Sequence, residues 1–148
     1  MTAHEEKAKQ LFMEGYNCAQ AVFIAFAEDR MDRQTAAALA SSFGGGMGGL
    51  REVCGALSGA FLALGLLEGS YDPNDRGAKT DRYAAVRAVA ERFREENGTI
   101  ICRELLGLSQ DAKAENPSPR TKSYYEKRPC QEMVACAARI LDRFLEEA

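Results

Sequence analysis

Five cysteines, Cys18, Cys54, Cys102, Cys130 and Cys136, are the residues of this 148-residue chain best suited to chemistry. Their spacings of 36, 48, 28 and 6 residues exclude both the C-x-x-C of a thioredoxin-like site and the paired knuckles of a zinc ribbon, so only the fold can gather them. The first four fall where the surrounding residues predict the first turn or two of a helix. Unpaired N–H groups and the helix dipole stabilise an anion there, and the thiolate is the form of cysteine that attacks and ligates. Arg51, Arg103 and Arg128 lie within three residues of Cys54, Cys102 and Cys130, and a nearby cation lowers a thiol pKa. A single cysteine in such a place is more simply explained as a small buried side chain. Four of them at helix starts favour a shared thiol pocket. Cys136 is different: it shares a stripe with Met133, Ile140 and Phe144, which predicts packing or a contact surface.

Two kinds of chemistry remain open for Cys18, Cys54, Cys102 and Cys130. Four thiolates without histidine suit an iron–sulfur cluster or a tetrahedral zinc, whereas dithiol cycling needs only two sulfurs able to approach to about 2.05 Å. The one histidine, His4, falls in an N-terminus expected to be frayed, which removes Ser-His-Asp and Cys-His catalysis. Asp and Glu occur among Lys and Arg on helix faces expected to be solvated, and no catalytic pair stands out. The run from Gly44 to Gly49 is no phosphate cradle, because no strand precedes it and no Gly-Lys-Ser/Thr closes it. Its glycines would let main-chain N–H groups approach the sulfur of Cys54.

The elements that must position these residues are helical. No run alternates apolar and polar residues, and β-branched residues are few beside Ala, Leu, Glu and Arg. Ala8, Leu11 and Phe12 give a first stripe ended by Gly15. Asn17, with Gln20 three residues on, predicts a capping box opening a helix whose Cys18, Ala21, Val22, Ala25 and Phe26 share a face. Asp32 predicts the next cap, with Ala36, Leu39, Ala40 and Phe43 inward. The glycine run is then a loop leading to a buried helix through Val53–Leu67, in which Gly55 and Gly59 would admit a close neighbour. After a loop over Gly69–Gly77, a long helix carries Tyr83, Val86, Ala90 and Phe93 and ends at Asn97-Gly98. Thr99 would cap a short helix holding Cys102 at its third position. Ser109–Lys127, with Pro117 and Pro119, is the longest irregular stretch and a candidate lid. Pro129 would open a last helix with Cys130, Val134, Ala137, Ala138 and Leu141 on one face.

Length and composition predict one all-α domain over residues 1–148, a compact bundle of about five to seven helices: 46% of residues are hydrophobic and 28% charged, ordinary globular values. A net charge of −3 leaves no cation excess for phosphates, which argues against nucleic acid. The most apolar run, Val53–Leu67, is shorter than the roughly 20 residues that span a bilayer, so no membrane association is expected. The acidic start, Met1-Thr2-Ala3-His4-Glu5-Glu6, has no apolar export core, which predicts a cytoplasmic protein in which structural disulfides would not persist.

Phe43–Gly49 followed by Val53-Cys54-Gly55-Ala56-Leu57-Ser58-Gly59 resembles the C_GCAxxG_C_C family, whose members are described as redox-active on the strength of four shared cysteines. The other parts fall in order: Tyr16-Asn17-Cys18 upstream, then Cys102-Arg103-Glu104-Leu105-Leu106-Gly107, then Cys130 ahead of Val134 and Ile140. The resemblance covers nearly the whole chain and implies a similar length and a mostly helical fold, but no substrate or reaction. Cys136 is extra to it. The resulting expectation is a thiol redox protein with an unidentified redox partner. In it Cys18, Cys54, Cys102 and Cys130, with Cys54 central, exchange disulfides or hold a metal centre, an iron–sulfur cluster or zinc. The alternative is a non-enzymatic helical interaction module with structural or zinc-binding cysteines, a homodimer through Met133, Cys136, Ile140 and Phe144.

Overall fold

A computed structural model describes residues 1–108 and 119–147 of the chain. Its helices are α1 (Ala3–Met13), α2 (Cys18–Ala27), α3 (Arg33–Ala40), the single turn α4 (Gly44–Met47), α5 (Gly55–Glu68), α6 (Arg76–Asn97), the short α7 (Cys102–Leu105) and α8 (Lys122–Lys127), and α9 (Cys130–Glu147). The class is all-α as expected, and the short segments lift the count above the expected range. Among the described residues the only β pairing is an isolated antiparallel bridge between Val53 and Ile101. None of the described helices is long and apolar enough to cross a membrane.

Local chemistry sets most boundaries. Thr2 and Asn17 form capping boxes with Glu5 and Gln20, and the side chains of Asp32, Asp75 and Thr121 cap α3, α6 and α8. Gly98, at φ +86°, closes α6 in the left-handed conformation. Helix α2 has no polar face: Ala19 and every residue from Ala21 to Ala27 are buried, so it runs through the centre of the bundle and does not present a single stripe. It packs on α1, α3, α5 and α9, and α6 lies outside against α5 and α9.

The contact between α2 and α5 is the tightest. A Cβ on Gly59 would sit 2.5 Å from the carbonyl oxygen of Ala19 and 3.1 Å from its Cα, and one on Gly55 would sit 3.3 Å from Cys18 Cβ. Glycine at both positions brings the two backbones together over a full turn, which is the close approach expected from their spacing.

Several expectations need correction. Tyr83 is 54% exposed and Leu39 is 53% exposed. Val89 and Phe93 are the residues of α6 that reach the core, because the helix touches the bundle along a narrower line than its apolar stripe suggests. The N-terminus is not frayed: His4 stacks on Phe26 at 4.2 Å, and its Nδ1 lies 2.7 Å from Asp142, so this histidine is structural. Thr99 accepts a hydrogen bond from the Ile101 N–H and α7 starts at Cys102, which makes that cysteine first and not third in its helix. Of the stretch Ser109–Lys127, residues 109–118 lie outside the described residues, and the lid reading with them; the remainder is not irregular, since Thr121 caps α8 there.

Two substitutions in α5 separate close packing from helix propensity. Gly59→Ala should destabilise the chain by about 1–3 kcal/mol in urea unfolding, because the added methyl meets backbone. Gly65→Ala meets only the flexible end of Arg82 at 3.8 Å and should be neutral or stabilising by up to about 1 kcal/mol.

Candidate thiol site

The starts of four helices face one cavity of about 330 Å³, whose wall includes Cys18, Cys54, Cys102 and Cys130. Cys18 follows the Asn17 cap of α2, and Asn17 Nδ2 also donates to the carbonyl of Ser41, 3.1 Å away, which ties this helix start to the end of α3. Cys54 occupies the cap position of α5. Its N–H donates to Ile100 O (2.8 Å) and the Cys102 N–H donates to Glu52 O (2.6 Å), so the Val53–Ile101 bridge carries both cysteines to the cavity. Cys130 follows Pro129, whose carbonyl accepts the Met133 N–H at 3.0 Å and so begins α9. Such a bridge is too short to leave a strand signature in sequence, which is why it was not anticipated.

The glycine run forms the cavity's other wall. Gly45, Gly46 and Gly48 have φ between +60° and +67°, a region costly for other residues, and the turn they make folds back so that Arg51 N–H and Glu52 N–H donate to Gly45 O and Gly46 O. A Cβ on Gly46 would lie 2.6 Å from Cys102 Cβ and 2.8 Å from Arg51 Cα. The run therefore abuts Cys102. The amides that act on the Cys54 sulfur belong to Ala56 and Leu57 of α5 and not to this loop.

The expectation that a helix start lowers the thiol pKa holds for Cys130 and is corrected for Cys18 and Cys54. Cys130 is lowered to about 6: the largest cause is the hydrogen bond from the Cys18 thiol, followed on the same side by the Tyr124 hydroxyl and the charges of Arg128 and Arg120, with burial opposing. Cys18 is raised well above the ordinary thiol value, first by that shared hydrogen bond, then by burial and by the charge on Cys130. Burial pushes the Cys54 thiol up to about 12 despite the two amides. A helix start stabilises a thiolate only when the sulfur is not stripped of solvent at the same time.

The arginines divide as well. Arg128 acts on Cys130 as its position in sequence implied. Arg51 reaches past Cys54 to place Nη1 3.6 Å from Cys102 Sγ. Arg103 turns away from the thiols: its guanidinium donates to Leu50 O at 2.8 Å and to Arg51 O at 3.3 Å and pairs with Glu52, which pins the glycine turn. Tyr124 and Arg120 were not anticipated, because they lie in a stretch whose prolines read as irregular. Arg120 donates to Phe12 O (3.0 Å) and Tyr16 O (2.8 Å) and lies over the Phe12 ring, so it anchors this segment beside Cys18. The pairing of Tyr124 and Arg128 just ahead of Pro129-Cys130 was the available signal.

Cys136 is away from the cavity. It is buried, accepts from Asn97 Nδ2 at 3.4 Å and faces Glu96, so within the chain it is a packing residue against the end of α6. Among the described residues, no three Cys, His, Asp or Glu side chains stand close enough together to hold one metal ion. The four cysteines as arranged therefore do not form a ready zinc or cluster site.

The profile of the family described as "Putative redox-active protein (C_GCAxxG_C_C)" matches residues 16–144, and the chain belongs to that family. It is also 31% identical over 147 residues to an uncharacterized protein of Archaeoglobus fulgidus, with 91% of each chain covered. No solved structure matches it.

Alkylation by iodoacetamide, followed residue by residue by mass spectrometry, tests the electrostatics. Modification of Cys130 should rise from acid pH to half its plateau near pH 6, because the thiolate reacts and forms as the proton leaves; Cys54 and Cys18 should remain slow at neutral pH. Tyr124→Phe removes a donor to the thiolate and should slow Cys130 at pH 6 by about threefold or more. An unshifted midpoint in this variant would show that the hydroxyl does not support the anion.

Proposed function

We propose that this member of the C_GCAxxG_C_C family is a dithiol–disulfide exchanger in which Cys130 attacks and Cys18 resolves. The observation that carries the reading is that Cys18 and Cys130 line the same cavity with their thiols driven in opposite directions, Cys130 down to about 6 and Cys18 up, which favours thiolate at Cys130 and thiol at Cys18. Two thiols that interact this strongly titrate as a pair, and the site that keeps the proton selects which sulfur reacts first.

In the first step the Cys130 thiolate attacks one sulfur of a substrate disulfide. The substrate S–S bond breaks, a Cys130–substrate disulfide forms, and the departing thiolate takes a proton from water. Cys130 then carries no charge and accepts no hydrogen bond, so two of the causes that held Cys18 protonated are gone. Cys18 releases its proton to the second leaving sulfur as it attacks Cys130, and the Cys18–Cys130 bond forms. The substrate has gained two electrons and two protons; the protein pair has given up both electrons and the Cys18 proton, and water has supplied the other proton; an external dithiol reverses the exchange and restores the protein. Cys54, buried and held up to about 12, is unsuited to attack at neutral pH, so its place in this reading is in the cavity wall and not at the centre expected from the motif.

Oxidation of the full chain under anaerobic conditions by a small disulfide, followed by intact mass and peptide mapping, tests the assignment. The mapped product should be a Cys18–Cys130 disulfide that a dithiol reductant reverses. Cys130→Ser should abolish it, and Cys18→Ala should trap the mixed disulfide and move the Cys130 alkylation midpoint upward. A disulfide formed through Cys54 or Cys102 with Cys18 and Cys130 still reduced would overturn the reading.

A further inference from the structure

We infer that the substrate of this exchange is a small carboxylate-bearing disulfide, docked by the guanidinium of Arg51; the inference rests on the exchange reading above. Arg51 is only 8% exposed and lies on the cavity wall beside Cys102. Its Nε is buried without a hydrogen-bond partner, and among the described residues no carboxylate pairs with it. Five other arginines have one: Arg33 has Glu28, Arg92 has Glu147, Arg94 has Glu91, Arg103 has Glu52, and Arg139 has both Glu5 and Glu96. A buried cation without an anion is costly, and the deficit is concentrated where four helix starts add positive potential of their own.

The backbone holds the cation there at a further cost. Arg51 has φ +62°, in the left-handed region that non-glycine residues seldom occupy. Its N–H is fixed to Gly45 O at 3.1 Å, and its carbonyl accepts from the Arg103 N–H at 3.2 Å and from Arg103 Nε. Strain of this kind persists where surrounding structure imposes it, and here it places the guanidinium among the thiols. Among the described residues no Asp or Glu lines the cavity. With four sulfurs, the Arg51 guanidinium without a carboxylate partner, Arg120 and Arg128 on the same wall and no acid among the described lining residues, the cavity complements a molecule that carries both a disulfide and an anion. Its volume of about 330 Å³ is at the lower end of ligand pockets, which suits a low-molecular-weight disulfide and not the surface of a folded protein.

The test uses the full reduced chain and three small symmetric disulfides: dithiodiglycolic acid (anionic), hydroxyethyl disulfide (neutral) and cystamine (cationic). Each rate of Cys18–Cys130 formation is divided by the rate of the same disulfide with a free thiolate. The anionic disulfide should then exceed the neutral one by about tenfold or more, with the cationic one slowest. Arg51→Gln should lower the anionic-to-neutral ratio by about threefold or more, the charges of Arg120 and Arg128 remaining, and Cys102→Ser should keep it. Should Arg51→Gln fail to fold, the ratio of iodoacetate to iodoacetamide alkylation at Cys130, native against urea-unfolded, should be about tenfold higher when native and should persist in Arg128→Gln; its loss there would assign the preference to Arg128 and overturn the inference. Equal normalised rates for all three disulfides would overturn the carboxylate assignment and leave the exchange standing. A marked rise of the preference in Cys102→Ser would assign Arg51 to a Cys102 thiolate in the parent chain and also overturn it. No Cys18–Cys130 bond with any disulfide, while iodoacetate is still favoured, would sink the exchange and leave Arg51 as an anion site.

Discussion

The close approach of α2 and α5 along Gly55 and Gly59 is the constraint on which the rest of the thiol site depends. Two helices with ordinary side chains at their crossing stand 8–10 Å apart, and a missing Cβ at the contact lets them settle at the near end of that range. Here the contact lies within the first turn and a half of α5, so it also sets the distance between Cys18 and the start of α5. Widening the helices at Gly59 would act on the cavity as directly as a change to a cysteine.

Around that contact the chain converts backbone polarity into a difference between thiols. All four cysteines sit at helix starts, yet burial and sulfur–sulfur hydrogen bonding drive them apart: Cys130 falls to about 6 and Cys54 rises to about 12. The dipole of a helix is a weak, local influence, and full desolvation of a sulfur outweighs it. Cys130 escapes because donors and cations from Cys18, Tyr124, Arg128 and Arg120 stand in for the water it loses.

The glycine turn and the Val53–Ile101 bridge supply the opposite wall. Neither has a hydrophobic core of its own. The turn is held by main-chain hydrogen bonds to Arg51 and Glu52 and by the Arg103 guanidinium, and Gly46 lets it lie directly on Cys102. Rigidity there comes from satisfied polar groups, which suits a surface that must present a charged side chain at a fixed place.

Local sequence determined the helices and their ends. Asn17, Asp32 and Gly98 act within one turn of themselves, and capping needs no distant partner, so these boundaries are legible from neighbouring residues alone. The glycine spacing in α5 likewise announced a close neighbour without saying which helix it would be. Tertiary structure alone decided that the neighbour is α2, that His4 is structural, that Arg51 reaches Cys102 and not Cys54, and that the Cys130 thiol is lowered while those of Cys18 and Cys54 are raised. Solvation and charge at a buried sulfur are sums over atoms from segments far apart in the chain, and no spacing between cysteines encodes them.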